Sequence, residues 1–343
     1  MIAEGIKSVA LEEASRYFER MPISVRPFSL HPCYVEADAV RTPRLQPIHL
    51  VYESQGDTWM HSFHRGQDPV SGFWDASSPY GYGGPLFTSS DSEFLNLAWA
   101  AYVQWMREQS VVVEYLRFHP MTGNDYCYPG KVTPNREVVW IDLEAGDWTG
   151  QYAHRLRYSL KKASKFALHV EETPLSVHVS RFGRFYRDAM AEMGASDFYF
   201  FTDRYFQLLA SRPDAQLAVC RQGSEEDAPW LAACVLLRGS SISEYHLAGT
   251  TAEGRAVCAS NFLLHACTRS ANKSEQKIFY LGGGTDPSSE NPLLFFKGSY
   301  SPLRRTYKTG TQLFDAARYA QLRELYPDAI KAHPERPIFY RMV

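Results

Sequence analysis

Residues 277–300 read KIFYLGGGTDPSSENPLLFFKGSY, and this stretch decides the class of the fold. Residues 277–281 are mostly apolar and rich in β-forming side chains, which predicts a buried strand. Residues 282–284 are three glycines, which permit a positive φ and let a ligand approach the backbone closely. Residues 293–297 then predict a short helix. A buried strand that runs through a glycine turn towards a helix is typical of α/β proteins.

The same alternation continues on both sides of this stretch. Apolar periodicity predicts strands at 48–53, 58–64, 111–118, 138–143, 168–172, 216–221, 231–238, 241–247 and 303–308. It predicts helices at about 11–21 after a Ser8 cap, from 92 to about 105, and at 149–167, 176–194, 203–211, 259–271 and 312–325. The proline-rich residues before the first long strand are expected to be irregular.

The order of the predicted elements indicates a duplication. Each half reads as helices, then strands, then a helix and a strand, which predicts two α/β units with mixed sheets flanked by helices. Residues 144–150 (EAGDWTG) look like a linker. We therefore predict domains at 1–147 and 148–315, followed by a C-terminal helix and tail at 316–343.

The composition limits the class of protein. The chain has 343 residues, 45% of them hydrophobic, and a formal net charge of −2. These values exclude a disordered chain, a coiled coil and a collagen-like repeat, and they give no basic excess for general DNA binding. The six cysteines form no C-x-x-C pair, so we expect reduced thiols, a cytoplasmic location and no metal. The longest apolar runs are too short to predict a transmembrane segment.

Six motifs occur in an order that resembles a known family. They are SPYGYGGPL (78–86), YLRFHP (115–120), RLRYSLKKASKFAL (155–168), YHLAGT (245–250), YLGGGT (280–285) and FFKGSYSP (295–302), followed by Tyr307. Together they resemble the FemAB-like branch of the GNAT acyltransferases, with the BioF2-like acetyltransferase domain as the nearest match. The resemblance implies a tandem GNAT fold and transfer of an acyl or aminoacyl group to an amine. It also implies an acyl-CoA or an aminoacyl-tRNA as the donor.

Lys297 is the residue on which the resemblance bears most directly. In the related peptidoglycan-bridge enzymes a Phe-Lys pair serves the reaction site and the charged donor, and the matching pair here is Phe296 and Lys297. A lysine is a compact cation that suits a phosphate or a developing oxyanion. The alternative is an ordinary surface lysine on a short helix.

Two further segments of the second half offer catalytic and binding groups. Backbone N–H groups at Gly283 and Gly284 could hold a phosphate or a carbonyl oxygen, although no Gly-Lys-Ser/Thr follows as in a P-loop. Tyr245 and His246 are neighbours on one strand, so their side chains point to opposite faces, and only one can face a cleft. We expect His246 or Asp286 to accept the proton of the acceptor amine and Tyr245 to contact substrate. An ordinary turn and packed strand residues are the alternatives.

The first half contributes candidate substrate contacts. Tyr80, Tyr82 and Gly83 belong to a loop rich in glycine and aromatic residues, a composition that suits flat or sugar-like ligands. Arg117 and His119 share a face at the end of an apolar strand, where an arginine is costly unless it is paired or touches an anion. A simple turn and a paired strand end are the alternatives.

The predicted helix at 149–167 is strongly basic. Arg157, Lys161 and Lys165 fall on one stripe, and no acidic residue lies between 147 and 171. Unpaired like charges favour an anionic partner, which could be a nucleotide-sugar diphosphate, a coenzyme A phosphate or a tRNA backbone. A solvated helix face is the alternative.

The sequence departs from acetyl-CoA-dependent GNAT enzymes at one point. Their Gln/Arg-x-x-Gly-x-Gly/Ala loop grips pyrophosphate, but residues 252–259 read AEGRAVCA and do not keep the glycine spacing. Three functions stay open. The first is an N-acyltransferase acting on an amine of a sugar, nucleotide-sugar or cell-envelope precursor. The others are a tRNA-dependent aminoacyltransferase acting on a peptide or peptidoglycan precursor, and an inactive binding module with the same fold.

Overall fold

The computed structural model describes residues 5–225, 227–286, 288 and 290–342. Its strands are β1 Lys7–Ser8, β2 Leu45–Ser54, β3 Asp57–Gln67, β4 Trp74–Ser77, β5 Leu86–Phe87, β6 Val111–Arg117, β7 Lys131–Asp142, β8 Leu168–Pro174, β9 Ala215–Gln222, β10 Trp230–Arg238, β11 Ile242–Thr250, β12 Ile278–Gly283 and β13 Arg304–Leu313. Its α-helices are α1 Leu11–Arg20, α2 Pro32–Ala39, α3 Ser92–Glu108, α4 His154–Ala163, α5 Leu175–Glu192, α6 Asp203–Ala210, α7 Ala252–Ala256, α8 Ala259–Lys273, α9 Pro292–Lys297, α10 Ala316–Leu325 and α11 Pro327–Ala332.

The chain divides into two compact units. Unit 1 comprises residues 1–135 and 307–343, and unit 2 comprises residues 136–306. These bounds differ from the domain ranges expected from the sequence, because the C-terminal part of β7 pairs with β12 and the C-terminal part of β13 pairs with β6. A compact unit need not coincide with one repeat of a duplicated fold, so the predicted domains stay a prediction.

Unit 1 is a mixed sheet in the order β1-β2-β3-β4-β6-β13, with β5 beside β3. Its core lies largely between the sheet and α3, where the rings of Trp59, Trp99 and Tyr102 pack together. Helix α1 contributes Phe18 to a second apolar cluster. This aromatic layer packs α3 against the sheet. The packing fixes the position of the strand that carries Arg117.

Unit 2 is a mixed sheet in the order β7-β12-β11-β10-β9-β8. Helices α4, α8 and α9 contribute to the buried cluster on one face, which includes Leu156, Leu263 and Leu294. Helices α5 and α6 contact the sheet through an aromatic layer that includes Phe182 and Phe206. Strand β11 is parallel to β12, whereas β12 is antiparallel to β7.

The predicted fold class is confirmed: the chain forms mixed α/β sheets flanked by helices. Three local predictions were wrong. Residues 32–39 form α2, with Pro32 in its first turn. Ser8 lies in β1 rather than capping α1, whose N-cap is Ala10. The helix expected at 149–167 is a 3₁₀ turn, Thr149–Gln151, followed by the shorter α4.

Candidate functional site

The parallel strands β11 and β12 diverge within unit 2. As far as the structure describes the chain, their pairing covers Ile242–Glu244 on β11 and Ile278–Tyr280 on β12, although both strands continue further. The register of β11 against β10 also shifts between Cys234 and Leu236, which marks a bulge in this region. The two strand edges beyond Glu244 and Tyr280 therefore offer backbone hydrogen-bonding groups that this ladder does not use.

Lys297 lies at the end of α9, next to the diverging end of β12. Its side chain is buried, with 8% of its surface exposed, and its Nζ atom donates a hydrogen bond to the carbonyl of Gly283 over 2.8 Å. Burial lowers the pKa of Lys297 to about 7. Lys297 is therefore a buried amine rather than the surface lysine of the alternative interpretation, and burial places its pKa near neutral.

The glycines of the 282–284 turn are required by close contacts. Gly282 has a φ of +78°, and a Cβ there would lie 3.3 Å from the Lys297 amine. A Cβ on Gly283 would lie 2.8 Å from the carbonyl oxygen of Glu137, and one on Gly284 would collide with Asn291. The lack of side chains at these positions lets β12 lie close to β7 and α9. Protein atoms therefore occupy the space beside the three glycines.

Asn291 joins the turn to α9, and the sequence analysis missed it. This buried residue caps α9: its Oδ1 accepts from the N–H groups of Leu293 and Leu294. Its Nδ2 donates to Thr285 Oγ1 over 2.8 Å and to Asp286 Oδ2 over 2.6 Å. The Asn-Pro pair at 291–292 is a helix-start signal that could have identified it.

Asp286 serves the same turn. Its Oδ1 accepts from the N–H of Ser288 over 2.8 Å, and its Oδ2 accepts from Asn291. These hydrogen bonds lower the pKa of the exposed Asp286 carboxyl below its usual value. A carboxylate with a lowered pKa is a weaker base, so the local geometry gives Asp286 a structural position in the turn.

Tyr245 and His246 face opposite sides of the unit 2 sheet, as the strand pattern predicts. Tyr245 packs on the cluster that includes Leu294 of α9, and burial raises its pKa. His246 lies on the other face, where its Nε2 is 2.8 Å from the hydroxyl of Tyr205 on α6. The structure therefore does not bring His246 and Lys297 together on one face.

The two phenylalanines before Lys297 have different surroundings. Phe296 is half-buried, and its ring contacts that of Tyr300 at 5.7 Å between centroids. Phe295 is 58% exposed, and the guanidinium of Arg155 lies 3.6 Å from its ring centroid. Arg155 also donates from Nη2 to the carbonyl of Phe295 over 2.7 Å, so it fastens α4 to α9.

The basic stripe is shorter than the sequence suggested. Arg157 and Lys161 lie exposed on α4, and Arg157 donates from Nη2 to the carbonyl of Gly150 over 2.7 Å. Lys165 lies beyond α4 in a turn, because Ala167 adopts a left-handed φ of +47°. The i, i+4, i+8 stripe predicted for Lys165 was therefore wrong, although all three side chains are exposed.

The loop that follows β11 forms closed local hydrogen bonds. Thr251 caps α7 by accepting from the N–H of Gly254, and the N–H of Arg255 donates to the Thr251 carbonyl. The N–H groups of Val257 and Cys258 donate to carbonyls of residues 253 and 255. Four backbone N–H groups of this segment are therefore used within it. In GNAT enzymes that use acetyl-CoA, the N–H groups of the corresponding loop bind pyrophosphate.

The glycine-aromatic loop of unit 1 is tied to its surroundings. The N–H of Tyr80 donates to Asp38 Oδ2 over 2.8 Å. Gly83 is buried, and its N–H donates to the Arg117 carbonyl over 2.7 Å. Arg117 donates from Nη2 to the carbonyl of Pro79 over 2.7 Å. Arg117 is therefore half-buried and hydrogen-bonded to the loop. This agrees with the alternative interpretation of a paired strand end.

His119 is a buried residue of the same region. The N–H of Met121 donates to its Nδ1 over 3.3 Å, and its ring contacts that of Tyr82 at 5.3 Å between centroids. Tyr82 also contacts Tyr307, at 5.5 Å. Within unit 1 the structure thus brings Tyr82 and His119 together, with Tyr82 half-buried and accessible in part.

The described part of the chain lacks both a metal site and a membrane-spanning helix. It contains no group of three or more His, Cys, Asp or Glu side chains arranged to hold a metal ion. None of its helices has the length and apolar character that a bilayer crossing requires.

The fold of this chain is similar to that of known structures. The chain is similar to the crystal structure of FemX, with a TM-score of 0.70 and 12% identity over 93% of this chain and 99% of that one. It is similar to L-PGS from Bacillus licheniformis, with a TM-score of 0.59 and 14% identity over 90% and 93% of the two chains. The C-terminal domain of a putative lysylphosphatidylglycerol synthetase from Agrobacterium fabrum gives a TM-score of 0.57 and 16% identity over 93% and 96%.

These comparisons confirm the predicted resemblance to FemAB-like GNAT proteins at the level of the fold. No family model matches the chain, and no curated protein matches it in sequence. The likeness covers nearly the whole of each compared chain.

Proposed function

We propose that this protein is an N-acyltransferase that moves an acyl or aminoacyl group onto an amine of a sugar, a nucleotide-sugar or a cell-envelope precursor. One observation carries the proposal: the buried amine of Lys297 lies at the carbonyl of Gly283, where β12 diverges from β11. The fold shared with FemX and with a putative lysylphosphatidylglycerol synthetase supports transfer of aminoacyl groups.

The diverging strands suit an extended acyl donor. A chain laid between β11 and β12 can hydrogen-bond to their edges, as an added strand does. Such contacts would place the donor carbonyl near Lys297 and the half-buried Phe296. Attack by the acceptor amine would then form the new C–N bond, and backbone N–H groups would stabilise the developing oxyanion.

Two features favour an aminoacyl-tRNA over an acyl-CoA as the donor. The 252–259 segment lacks the glycine spacing of a pyrophosphate loop, and four N–H groups of residues 251–258 donate to acceptors within that segment. The exposed cations of α4, among them Arg157 and Lys161, suit a polyanionic backbone. Arg157 and Lys161 form no ion pair within the described residues, so their charges are available to a phosphate.

Contacts to the acceptor are proposed for each unit by itself. Tyr80 and Tyr82 are half-buried, so their rings can still contact a sugar or another flat group. Tyr245, Gly283 and Gly284 stay proposed contacts of the acyl or acceptor group. We propose an indirect role for Gly83, Arg117 and His119. Each contacts neighbours in that region and so helps to fix the conformation of the loop that presents Tyr82.

The test is a transfer assay with both donor classes. Purified protein is incubated with acyl-CoA or aminoacyl-tRNA pools, amino-sugar nucleotides and anionic lipid vesicles, and the products are identified by mass spectrometry. We expect a new amide product in the reaction that contains aminoacyl-tRNA. The Lys297→Ala variant should lose this product. The Lys331→Ala variant should retain it, because Lys331 is an exposed residue of α11. An ester on lipid would reassign the acceptor. Binding of a donor without any product would favour the inactive binding module.

A further inference from the structure

Lys297 has surroundings that disfavour a permanent positive charge. Only 8% of its side-chain surface is exposed, and the Nζ atom donates to one neutral acceptor, the carbonyl of Gly283. Within the described residues no carboxylate forms an ion pair with this amine. A buried ammonium without a counter-ion is costly, so the neutral amine is the form that this position favours.

The charged groups on the surrounding segments strengthen that preference. Arg155 of α4 contacts Phe295, and a Cβ on Gly298 would lie 2.5 Å from the guanidinium of Arg304. Arg136 of β7 donates to the carbonyl of Gly284 over 3.2 Å. The acidic groups on these segments are the exposed Glu137 and Glu290, Asp142 at the far end of β7, and Asp286, which bonds Ser288 and Asn291.

We propose that Lys297 is the group that accepts the proton of the acceptor ammonium, and that it works as a neutral amine rather than as a fixed cation. This inference rests on the proposed function, since it concerns the same site. The geometry supports it in two ways. The amine is near the diverging strand ends, and within the described residues it donates to one acceptor, so its lone pair stays available when it is neutral.

The transfer then balances in protons and bonds. Neutral Lys297 takes one proton from the acceptor ammonium, and the resulting amine forms a C–N bond at the donor carbonyl. The bond from that carbonyl to the donor oxygen or sulfur breaks. The second amine proton goes to the leaving atom, and the proton on Lys297 returns to solvent. No oxidant, metal or further reactant is needed.

The two groups first expected to accept the proton are less suited. His246 lies on the face of the sheet opposite α9, against Tyr205. Hydrogen bonds hold the pKa of Asp286 below its usual range. Burial, in contrast, lowers the pKa of Lys297 to about 7, which is close to the value that makes proton transfer efficient at neutral pH.

The first test titrates the amine directly, without substrate. Protein labelled with ¹³C at the lysine ε-carbon is titrated from pH 5 to 11, and the Lys297 resonance is assigned by its absence in Lys297→Met. We expect a midpoint near pH 7 for Lys297, far below the ordinary lysine value of 10.5. A Lys297 midpoint near 10 would overturn the proposal, whether or not the protein catalyses transfer.

The second test separates a base from a cation by using the transfer assay. Arginine keeps its charge at every accessible pH, so Lys297→Arg supplies a cation but no base. We expect kcat/KM of the wild type to rise to a plateau near pH 7, and Lys297→Arg to lose about 10²–10⁴-fold. Lys331→Arg, a substitution at an exposed position of α11, is the matched control.

The outcomes are distinguishable. If Lys297→Arg retains activity within tenfold of the wild type, a cation suffices and the proton role is wrong, while the proposed function stands. If the wild type transfers nothing from any donor, the proposed function is wrong and the proton role falls with it. If Lys297→Arg fails to fold, the direct titration of the wild type still decides.

Discussion

The Nζ atom of Lys297 donates to the carbonyl oxygen of Gly283 over 2.8 Å, and this bond joins the end of α9 to the end of β12. Asn291 makes the second connection between the same elements, through Thr285 and Asp286. The helix and the glycine turn are therefore held at both ends of α9. A reactive amine held in this way is positioned before any substrate arrives.

The burial of Lys297 should cost stability. We expect Lys297→Met to raise the free energy of unfolding by about 3 kcal/mol at pH 6, because methionine fills a similar volume without a charge. The pKa of Lys297 falls from 10.5 in the unfolded chain to about 7 in the fold. Between these values only the unfolded state binds the proton, so wild-type stability rises with pH and the advantage of Lys297→Met shrinks. Urea unfolding at several pH values measures the difference.

A constant or growing advantage of Lys297→Met above pH 7 would contradict this assignment. Lys331→Met is the matched control. Lys331 is exposed on α11, so the substitution should change the free energy of unfolding by less than about 0.5 kcal/mol at any pH.

Asn291 should stabilise both α9 and the turn. Asn291→Ala removes the cap and leaves the partners of a buried amide unpaired, so we expect a loss of about 2–3 kcal/mol in unfolding free energy. Asn291→Asp keeps an oxygen for the cap but places a second carboxylate against Asp286, so it should recover only part of the loss. Thermal unfolding of the two variants compares the two functions of the side chain.

If Asn291→Asp is as stable as the wild type, the bonds to Thr285 and Asp286 contribute little. Ser288→Ala is a useful reference, because that residue lies in the same turn and donates from its backbone N–H, which alanine retains. The substitution removes only the Ser288 hydroxyl, which accepts from the Glu290 N–H in an exposed position, so the variant should remain within about 0.5 kcal/mol of the wild type.

Features of this site that depend on local sequence could be predicted, whereas those that depend on tertiary packing could not. Alternation and helical spacing are local, so the sequence could locate β12 and α9 and could place Tyr245 and His246 on opposite faces. Which face carries α9 depends on packing between distant segments, and alternation contains no information about it. The burial of Lys297 also arises from tertiary packing, and the FFK motif gives no sign of it.

The α4 region shows a second limit. The spacing of Arg157, Lys161 and Lys165 fits one helix, but the backbone leaves the helix after Ala163 and Ala167 adopts a positive φ. No glycine or proline marks that end, so the usual stop signals are missing. Asn291, in contrast, carried a recognisable signal in its Asn-Pro pair.

Glu114 should make unit 1 sensitive to pH. Its fully buried carboxyl accepts hydrogen bonds from Tyr102 and from Tyr128, and burial raises its pKa to about 7. The unfolded carboxyl titrates near 4.5, so the fold binds an extra proton between these values and stability falls as pH rises from 4.5 towards 7. We expect the cost to reach about 3 kcal/mol at pH 8.

Glu114→Gln keeps the shape and removes the titration. The variant should be more stable than the wild type at pH 8 and nearly equal to it at pH 4.5, as measured by denaturant unfolding. Glu108→Gln, at the exposed end of α3, should leave the pH profile unchanged. A wild-type profile that is flat or rises from pH 5 to pH 8, with no change in Glu114→Gln, would refute the role of this carboxyl.

The exposed cations after residue 154 should contribute to binding of a polyanionic donor. Reversing Arg157, Lys161 and Lys165 to glutamate should weaken tRNA binding by at least about tenfold at 0.1 M salt, because each phosphate contact releases counterions. The slope of log K against log salt should fall in magnitude by about two or three, one for each lost contact. Fluorescence anisotropy with a labelled aminoacyl-tRNA across a salt series measures both quantities.

The matched control reverses exposed cations elsewhere. Arg107, Arg323 and Lys331 lie exposed on α3, α10 and α11 of unit 1, and their reversal to glutamate lowers the net charge by the same amount. A nonspecific effect of net charge would weaken tRNA binding to a comparable degree in both sets, whereas a docking surface predicts loss only in the α4 set. An unchanged salt slope in the α4 variant would show that these side chains form a solvated face, which is the alternative interpretation of the stripe. The donor would then have to bind elsewhere on the chain.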